Sequence, residues 1–152
     1  MPILYHNRNR DEAAEAELGV EYRSLDDLLR ESDFVALNCP LTDETTGMIG
    51  KARMELMKPG ATLVNMARGP VVVTDDLYEI LKAGRIRAAA LDVTDPEPLP
   101  RDHPLLTLDN LVIAPHLGSA SNRTRQRMME MTVENMAAGL AGEELPYRVH
   151  SN

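Results

Sequence analysis

The chain has 152 residues, and 43% of them are hydrophobic, which suits one domain with a core of its own. Its formal net charge is -8 at pH 7, from 16 Lys and Arg against 24 Asp and Glu. Because the basic residues form no run, this charge disfavours nucleic acid and anionic lipid as partners. We therefore expect the partner to be a small molecule or another protein.

The single cysteine, Cys39, cannot form a disulfide within the chain. The sequence has no charged leader followed by an apolar stretch, and no apolar run approaches the roughly 20 residues of a membrane span. These features favour a reducing cytoplasm. His103 and His150 lack the spacing of metal ligands, and Cys39 has no ligand partner nearby in sequence, so we expect no metal.

Short apolar runs alternate with helical patterns along the whole chain. Five runs predict strands, at residues 2–5, 34–37, 61–66, 86–93 and 111–114. Helices are predicted at residues 11–18, 25–30, 75–82 and 120–140, with Ser24 and Thr74 as N-caps and Gly19 and Gly84 as terminators. The order of elements is that of an α/β domain.

The predicted strands are almost entirely apolar rather than alternating, as expected where helices cover both faces of a parallel sheet. The sequence therefore predicts a doubly wound parallel sheet. In such sheets ligands bind beyond the carboxyl ends of the strands. The polar clusters of this chain follow the predicted strands, at residues 6–10, 38–46, 65–69, 92–98 and 116–119. We expect them to converge on one region.

Three motifs in these clusters resemble the signatures of D-2-hydroxyacid dehydrogenases. They are Asn-Met-Ala-Arg-Gly at 65–69, Leu-Asp-Val-Thr-Asp-Pro-Glu-Pro at 91–98, and Pro-His-Leu-Gly-Ser at 115–119. The likeness extends through Cys-Pro-Leu-Thr at 39–42 and covers nearly the whole chain. Residues 91–108 are most similar to glyoxylate/hydroxypyruvate reductases. The resemblance implies a Rossmann-like NAD(P)-binding domain over residues 1–152, with residues 140–152 as a tail that returns to the substrate domain in full-length relatives.

The resemblance also implies three catalytic residues. Arg68 would bind the substrate carboxylate and polarise its carbonyl, His116 would donate a proton, and Glu97 would orient His116 and favour its charged form. Taken singly, each residue has a structural alternative. Arg68 could neutralise a surface carboxylate, Glu97 could belong to a rigid proline loop, and His116 could be a half-buried imidazole with satisfied hydrogen bonds.

Cofactor contacts are expected along the same strand ends, at Asn7, Arg8, Arg10, Cys39, Pro40, Thr45, Met66, Ala67, Asp92, Gly118 and Ser119. In the resembled enzymes the residue matching Asp92 contacts the nicotinamide carboxamide, although Asp92 could also simply cap a turn. The cluster at 6–10 contains two Arg and two Asn but no acid. An acid there would bind the ribose of NAD(H) and repel the extra phosphate of NADP(H), so we predict NADP(H), with NAD(H) as the alternative.

The sequence contains no Gly-x-Gly-x-x-Gly, the loop that binds the cofactor pyrophosphate. Residues 2–5 resemble the family's second strand, so we expect an incomplete sheet without the central first strand. The two strands that would flank the missing strand would have unpaired edges. These edges would be covered by a closed-up sheet, by strand exchange or by another chain, and we expect a homodimer. With no substrate domain either, we expect weak or no activity from this chain alone.

Two classes of function remain. The first is part of an oxidoreductase that transfers hydride from NAD(P)H to a small 2-oxo acid, glyoxylate or hydroxypyruvate. Phosphoglycerate and D-lactate dehydrogenases share the Arg, Glu and His, whereas formate dehydrogenases typically have Gln where Glu97 stands. The second class is a non-catalytic relic, or an interaction and dimerisation module with a dehydrogenase fold, as in the related transcriptional corepressors.

Overall fold

The computed structural model describes residues 1–149 and divides into two compact units, Met1–Pro115 and a second unit that begins at His116. The first unit contains two parallel sheets. One pairs β1 (Leu4–Tyr5) with β2 (Glu21–Tyr22). The other has the order β3-β4-β5-β6, with β3 at Phe34–Leu37, β4 at Thr62–Asn65, β5 at Ala88–Leu91 and β6 at Leu111–Ile113.

Helices connect these strands: α1 spans Glu12–Leu18, α2 Leu25–Glu31, α3 Lys51–Met54 and α4 Thr74–Lys82. Two 3₁₀ turns, Gly69–Val71 and Pro104–Thr107, lie in the loops. All described strand pairs are parallel, and the predicted α/β fold class is confirmed. The register places Leu37 beside Asn65 and Asn65 beside Leu91, so neighbouring strands of the larger sheet end at the same level.

The helix starts follow ordinary capping chemistry. The Asp11 carboxylate accepts a hydrogen bond from the Ala14 amide, and the Ser24 hydroxyl accepts one from the Asp27 amide. Gly19 ends α1 with φ of 65°, a left-handed conformation that glycine adopts without a steric penalty. The predicted cap at Ser24 and terminator at Gly19 are therefore confirmed.

Thr74 is not an N-cap, and that prediction was wrong. Val73 precedes α4 without a side-chain cap, Thr74 is the first helical residue, and its hydroxyl donates to the Asp95 carbonyl at 2.8 Å. The sequence patterns did not predict β2 or α3. These elements have two and four residues, which is too short for a periodic pattern to show.

The core lies between the larger sheet and its helices. Leu63 of β4 is fully buried, as are Leu29 of α2 and Met54 of α3, and Leu77 of α4 is 1% exposed. Methionine and aliphatic side chains fill this core, which contains no aromatic residue among those described as buried.

The two sheets do not join. Within residues 1–149, β1 pairs only with β2, and β3 forms its ladder only with β4. The sheet is therefore incomplete, as expected, but it has not closed up by pairing β1 with β3. What covers these two strand edges stays a prediction, and so does the homodimer.

The second unit consists of a loop, α5 (Asn122–Ala141) and a tail. Ser121 caps the start of α5, and Gly142 ends it with φ of 74°. The tail folds back along the helix, because the Tyr147 amide donates to Asn135 Oδ1 at 3.0 Å and the Tyr147 hydroxyl donates to Glu134 at 2.7 Å. The predicted role of residues 140–152 in a larger protein stays a prediction, and residues 150–152, with His150, lie outside the described residues.

Candidate active site

The loop that follows β4 is closed by the side chain of Asn65. This residue is 1% exposed, its Oδ1 accepts from the Ala67 amide at 3.0 Å, and its Nδ2 donates to the Arg68 carbonyl at 3.0 Å. The Arg68 guanidinium donates to the Ala67 carbonyl at 2.7 Å. Three hydrogen bonds within residues 65–68 thus stabilise this turn. Arg68 itself is exposed, as a group that meets a ligand must be.

A second loop, residues 92–97, packs directly against the first. A Cβ placed on Gly69 would lie 1.9 Å from the Thr94 carbonyl oxygen and 2.8 Å from the Asp95 nitrogen, so only glycine fits. The Thr74 hydroxyl donates to the Asp95 carbonyl of this loop at 2.8 Å. Asp92 begins this loop, and its amide donates to the Asn65 carbonyl at 2.9 Å. These contacts fix the loop of Asp92 and Glu97 against the loop of Arg68.

An open cleft of about 540 Å³ lies between the ends of β3 and β4. It is lined by residues that follow the two strands: Asn38, Cys39, Pro40, Leu41, Met66, Ala67 and Arg68. Its volume lies within the range of ordinary ligand pockets. The structure therefore brings five predicted site residues, Cys39, Pro40, Met66, Ala67 and Arg68, to one opening.

Thr45 stabilises the loop that leads away from this cleft. Its hydroxyl donates to the Pro40 carbonyl at 2.7 Å and accepts from the Thr42 amide at 2.8 Å. Those contacts show Thr45 shaping the backbone beside the cleft, while its predicted contact with a cofactor stays a prediction.

The loop after β1 contains the predicted phosphate-binding residues Asn7, Arg8 and Arg10, all exposed. Arg10 donates to both oxygens of Glu15, at 2.7 and 2.8 Å, and the Tyr5 hydroxyl donates to the same carboxylate. Arg10 and then Tyr5 lower the pKa of Glu15 to about 2. Arg8 Nη1 lies 3.9 Å from Glu44 Oε2, a residue of the loop that follows β3.

His116, Gly118 and Ser119 belong to the second unit. His116 is exposed and has φ of 55°, and the Ala120 amide closes the following turn on the Leu117 carbonyl at 2.9 Å. A positive φ is uncommon for a side-chain-bearing residue and more frequent for His than for most, and at such sites it often accompanies function. The meeting of His116 with Arg68 and Glu97 stays a prediction.

The sequence patterns assigned no role to Asn65, Gly69 or Glu44. A signal was available for Asn65, because asparagine at a strand end commonly bonds to backbone two residues further on. Gly69 and Glu44 matter through contacts with residues far away in the sequence, Thr94 and Arg8, which no local sequence pattern reveals. Within residues 1–149 no three His, Cys, Asp or Glu side chains are grouped to hold a metal, and none of the helices combines the length and hydropathy that a bilayer crossing requires.

Parallel strands joined by helices, with polar loops and a cleft at their carboxyl ends, define a nucleotide-binding α/β domain. Comparison with known proteins agrees. Residues 1–118 match the model described as D-isomer specific 2-hydroxyacid dehydrogenase, NAD binding domain. The chain belongs to this D-2-hydroxyacid dehydrogenase family, and the resemblance stated from the three motifs is confirmed.

Individual relatives are similar over almost the full chain. The glyoxylate reductase of Aeropyrum pernix is 50% identical over 150 residues, which are 99% of this chain and 45% of that protein. The human glyoxylate reductase/hydroxypyruvate reductase is 48% identical over 144 residues, 95% of this chain and 44% of that protein. A crystal structure of a Thermus thermophilus protein superposes with a TM-score of 0.91 at 47% identity, covering 99% of this chain and 46% of that one. The chain thus spans about half the length of the relatives it matches.

Proposed function

We propose that this chain is the cofactor-binding part of an NADPH-dependent reductase of small 2-oxo acids, with glyoxylate or hydroxypyruvate as substrate. The observation that carries the proposal is the braced, exposed Arg68 beside the cleft at the strand ends. The names of the relatives at 48 and 50% identity, glyoxylate reductase and glyoxylate reductase/hydroxypyruvate reductase, favour these two substrates.

The cleft suits one part of a dinucleotide, and the loop after β1 suits another. Apolar side chains and backbone line the cleft, which favours a flat ring, while the exposed Arg8 and Asn7 offer donors to a phosphate. A dinucleotide has a pyrophosphate between these two parts. The Gly-x-Gly-x-x-Gly loop that usually binds it is not in this sequence. The residues present therefore fit the two ends of the cofactor.

Bound NADPH would supply the hydride. Arg68 would bind the substrate carboxylate through its planar fork and withdraw electron density from the adjacent carbonyl. His116 would give a proton to the oxygen that becomes the hydroxyl, and Glu97 would hold the imidazole in its charged form. Asn65 and Gly69 would hold Arg68 at a fixed position relative to the loop that contains Glu97.

Binding to the chain itself tests this proposal. The ¹⁵N-labelled chain is titrated with NADPH and, at saturation, with oxalate, an unreactive dicarboxylate that mimics a 2-oxo acid. We expect a Kd for NADPH below about 1 mM, amide shifts at Cys39 and Ala67, and an oxalate-dependent shift of the Ala67 and Gly69 amides, which flank Arg68. Arg68→Lys should abolish the oxalate response because Lys cannot bind a carboxylate in bidentate fashion, whereas Arg101→Lys, a matched exposed control, should preserve it.

The same titration separates the proposal from its alternative. A relic or interaction module that has lost the reaction has no reason to bind a dicarboxylate through Arg68 beside NADPH. If NADPH produces no shifts around the cleft at millimolar concentration, or if Arg68→Lys responds to oxalate like the wild type, the reductase proposal fails.

A further inference from the structure

Three backbone hydrogen bonds, the loop ladder, join the two loops that line the cleft. The Gly47 amide donates to the Pro70 carbonyl at 2.8 Å. The Ile49 amide donates to the Val71 carbonyl at 3.0 Å, and the Ile49 carbonyl accepts from the Val73 amide at 3.1 Å. These bonds form a parallel pairing outside the two sheets. The two loops are therefore connected beyond the strand ends as well as through β3 and β4.

Thr45 links the loop ladder to the cleft itself. Its hydroxyl donates to the carbonyl of Pro40, a residue that lines the cleft, at 2.7 Å. Its carbonyl accepts from the Met48 amide at 3.2 Å, in a turn where Gly47 has φ of 64°. That left-handed conformation suits glycine. A movement of the loop ladder would therefore be transmitted to the wall of the cleft that contains Pro40.

A carboxylate of α4 holds the end of the loop after β3. Asp76 Oδ2 accepts a hydrogen bond from the Lys51 amide at 2.8 Å, where α3 begins. Gly50 offers α3 no side-chain cap, so Asp76 supplies the missing acceptor from another helix. The contact is close, because a Cβ placed on Gly50 would lie 3.2 Å from Asp76 Oδ2. The start of α3 is thus tied to the helix that follows the Arg68 loop.

The neighbouring acid, Asp75, shows what is particular to Asp76. Both residues lie in the first turn of α4, where the helix dipole favours a negative charge. Asp75 is exposed, whereas Asp76 is half-buried. The dipole accounts for a carboxylate at both positions, but it does not account for the bond from Asp76 to the start of α3.

We infer that Asp76 is a positioning residue for the candidate active site. By capping α3 it holds the loop ladder in place, and the loop ladder fixes the separation of the two walls of the cleft. Asp76 touches neither cofactor nor substrate in this assignment and acts through residues 45–51. The inference rests on the proposed binding of a nicotinamide cofactor in the cleft, and it adds to that site a residue from outside the cleft.

The test compares three variants of the chain. Asp76→Ala removes the acceptor, whereas Asp76→Asn keeps a side-chain oxygen of the same reach that can accept the Lys51 amide. Asp75→Ala is the matched control, because it removes the same charge from the same turn of α4. An NMR titration of each variant gives the Kd for NADPH.

Amide hydrogen exchange, measured on the same samples, reports where the structure loosens. The Gly47 and Ile49 amides belong to the loop ladder, and the amide of the fully buried Leu63 lies in the centre of the larger sheet. Local opening speeds exchange only at the amides that open, whereas a loss of global stability speeds exchange in the core as well.

We expect Asp76→Ala to speed exchange at Gly47 and Ile49 at least about tenfold more than at Leu63. Its affinity for NADPH should fall about three- to tenfold, because the walls of the cleft are no longer held at one separation. Asp76→Asn and Asp75→Ala should both stay within about twofold of the wild type in affinity and in exchange.

Failure of this inference and failure of the proposed function give different results. If the wild type binds NADPH and Asp76→Ala binds it equally well, the positioning role is wrong while the cofactor proposal stands. The role is also wrong if Asp76→Asn or Asp75→Ala loses as much affinity as Asp76→Ala, or if exchange rises equally at Gly47 and Leu63. If the wild type does not bind NADPH, the proposed function fails and the role of Asp76 in cofactor binding falls with it.

Discussion

Replacing Gly69 with alanine should separate the two loops that form the candidate active site. The new Cβ would lie 1.9 Å from the Thr94 carbonyl oxygen and 2.2 Å from its carbonyl carbon, whereas real Cβ atoms essentially never approach within 3.0 Å. The obstacle is backbone rather than the flexible end of a side chain. The loop must therefore retreat by at least about 1.1 Å, in a region as closely packed as a protein interior.

The cost of that retreat can be bounded. Forcing extra volume into a well-packed site typically costs about 1 to 3 kcal/mol. For a chain of this size each kcal/mol lowers the unfolding temperature by about 2 to 4 °C, so we expect Gly69→Ala to unfold about 2 to 12 °C below the wild type. The Thr74–Asp95 hydrogen bond, at 2.8 Å, restrains the same loop and opposes its movement away from position 69.

Gly60→Ala provides the matched control, because a Cβ at Gly60 meets nothing within 4 Å. It should change the free energy of unfolding by no more than about 0.5 kcal/mol. Thermal unfolding by circular dichroism measures both variants, and NMR shifts of the Asp92 and Thr94 amides report the loop position. If Gly69→Ala unfolds at the same temperature as Gly60→Ala, with those amides unmoved, the close contact does not hold the two loops together.

Two further variants test the interactions around the site. Glu15→Gln should be less stable than the wild type at neutral pH. The pKa of Glu15 is about 2 in the folded chain, below the ordinary value of 4.5. Its charged carboxylate therefore stabilises the fold fully above about pH 4.5, and this stabilisation is lost as the pH falls through 2. The gap in unfolding temperature between Glu15→Gln and the wild type should therefore close on acidification, and a gap that is constant with pH would contradict this. Asn65→Leu leaves the Ala67 amide and Arg68 carbonyl without their partner and should cost about 2 to 4 kcal/mol in urea unfolding. Asn38→Leu, the same change at an exposed position after β3, should cost less than about 0.5 kcal/mol, and equal costs would refute the bracing role of Asn65.

The sequence predicted the larger sheet well because its strands are short, nearly continuous apolar segments. β3 was predicted at its observed bounds, and β4 and β5 fell within the predicted runs. Both faces are covered in β4 and β5, whereas Phe34 and Ala36 leave one face of β3 exposed. The error at Thr74 had a different cause. A threonine before a helical pattern is a good capping candidate, but the Asp95 carbonyl, 21 residues away in sequence, offered its hydroxyl a better partner.

The motifs predicted which residues surround the site but not what holds them in place. Arg68, Met66 and Ala67 were expected at a strand end and do line one cleft with Cys39 and Pro40. The need for glycine at position 69 comes from contact with Thr94, and the attachment of Arg8 comes from Glu44. Both contacts link segments that are far apart in the chain, so they follow from the packing of loops that local sequence does not specify.

The braces of the Arg68 loop have a consequence for how the site could work. Asn65, Gly69 and Thr74 all act within the first unit, and their contacts are made to other groups of the protein. These contacts hold the Arg68 loop against the loop containing Asp92 and Glu97, and groups that the fold already holds in place cost less entropy to bring together for a reaction. By contrast, Arg8 is held by an exposed contact and can adapt its position. If Arg68 and Arg8 have the proposed roles, a firmly held reacting end and an adaptable phosphate-binding end suit a site that must orient a small substrate precisely while admitting and releasing a large cofactor.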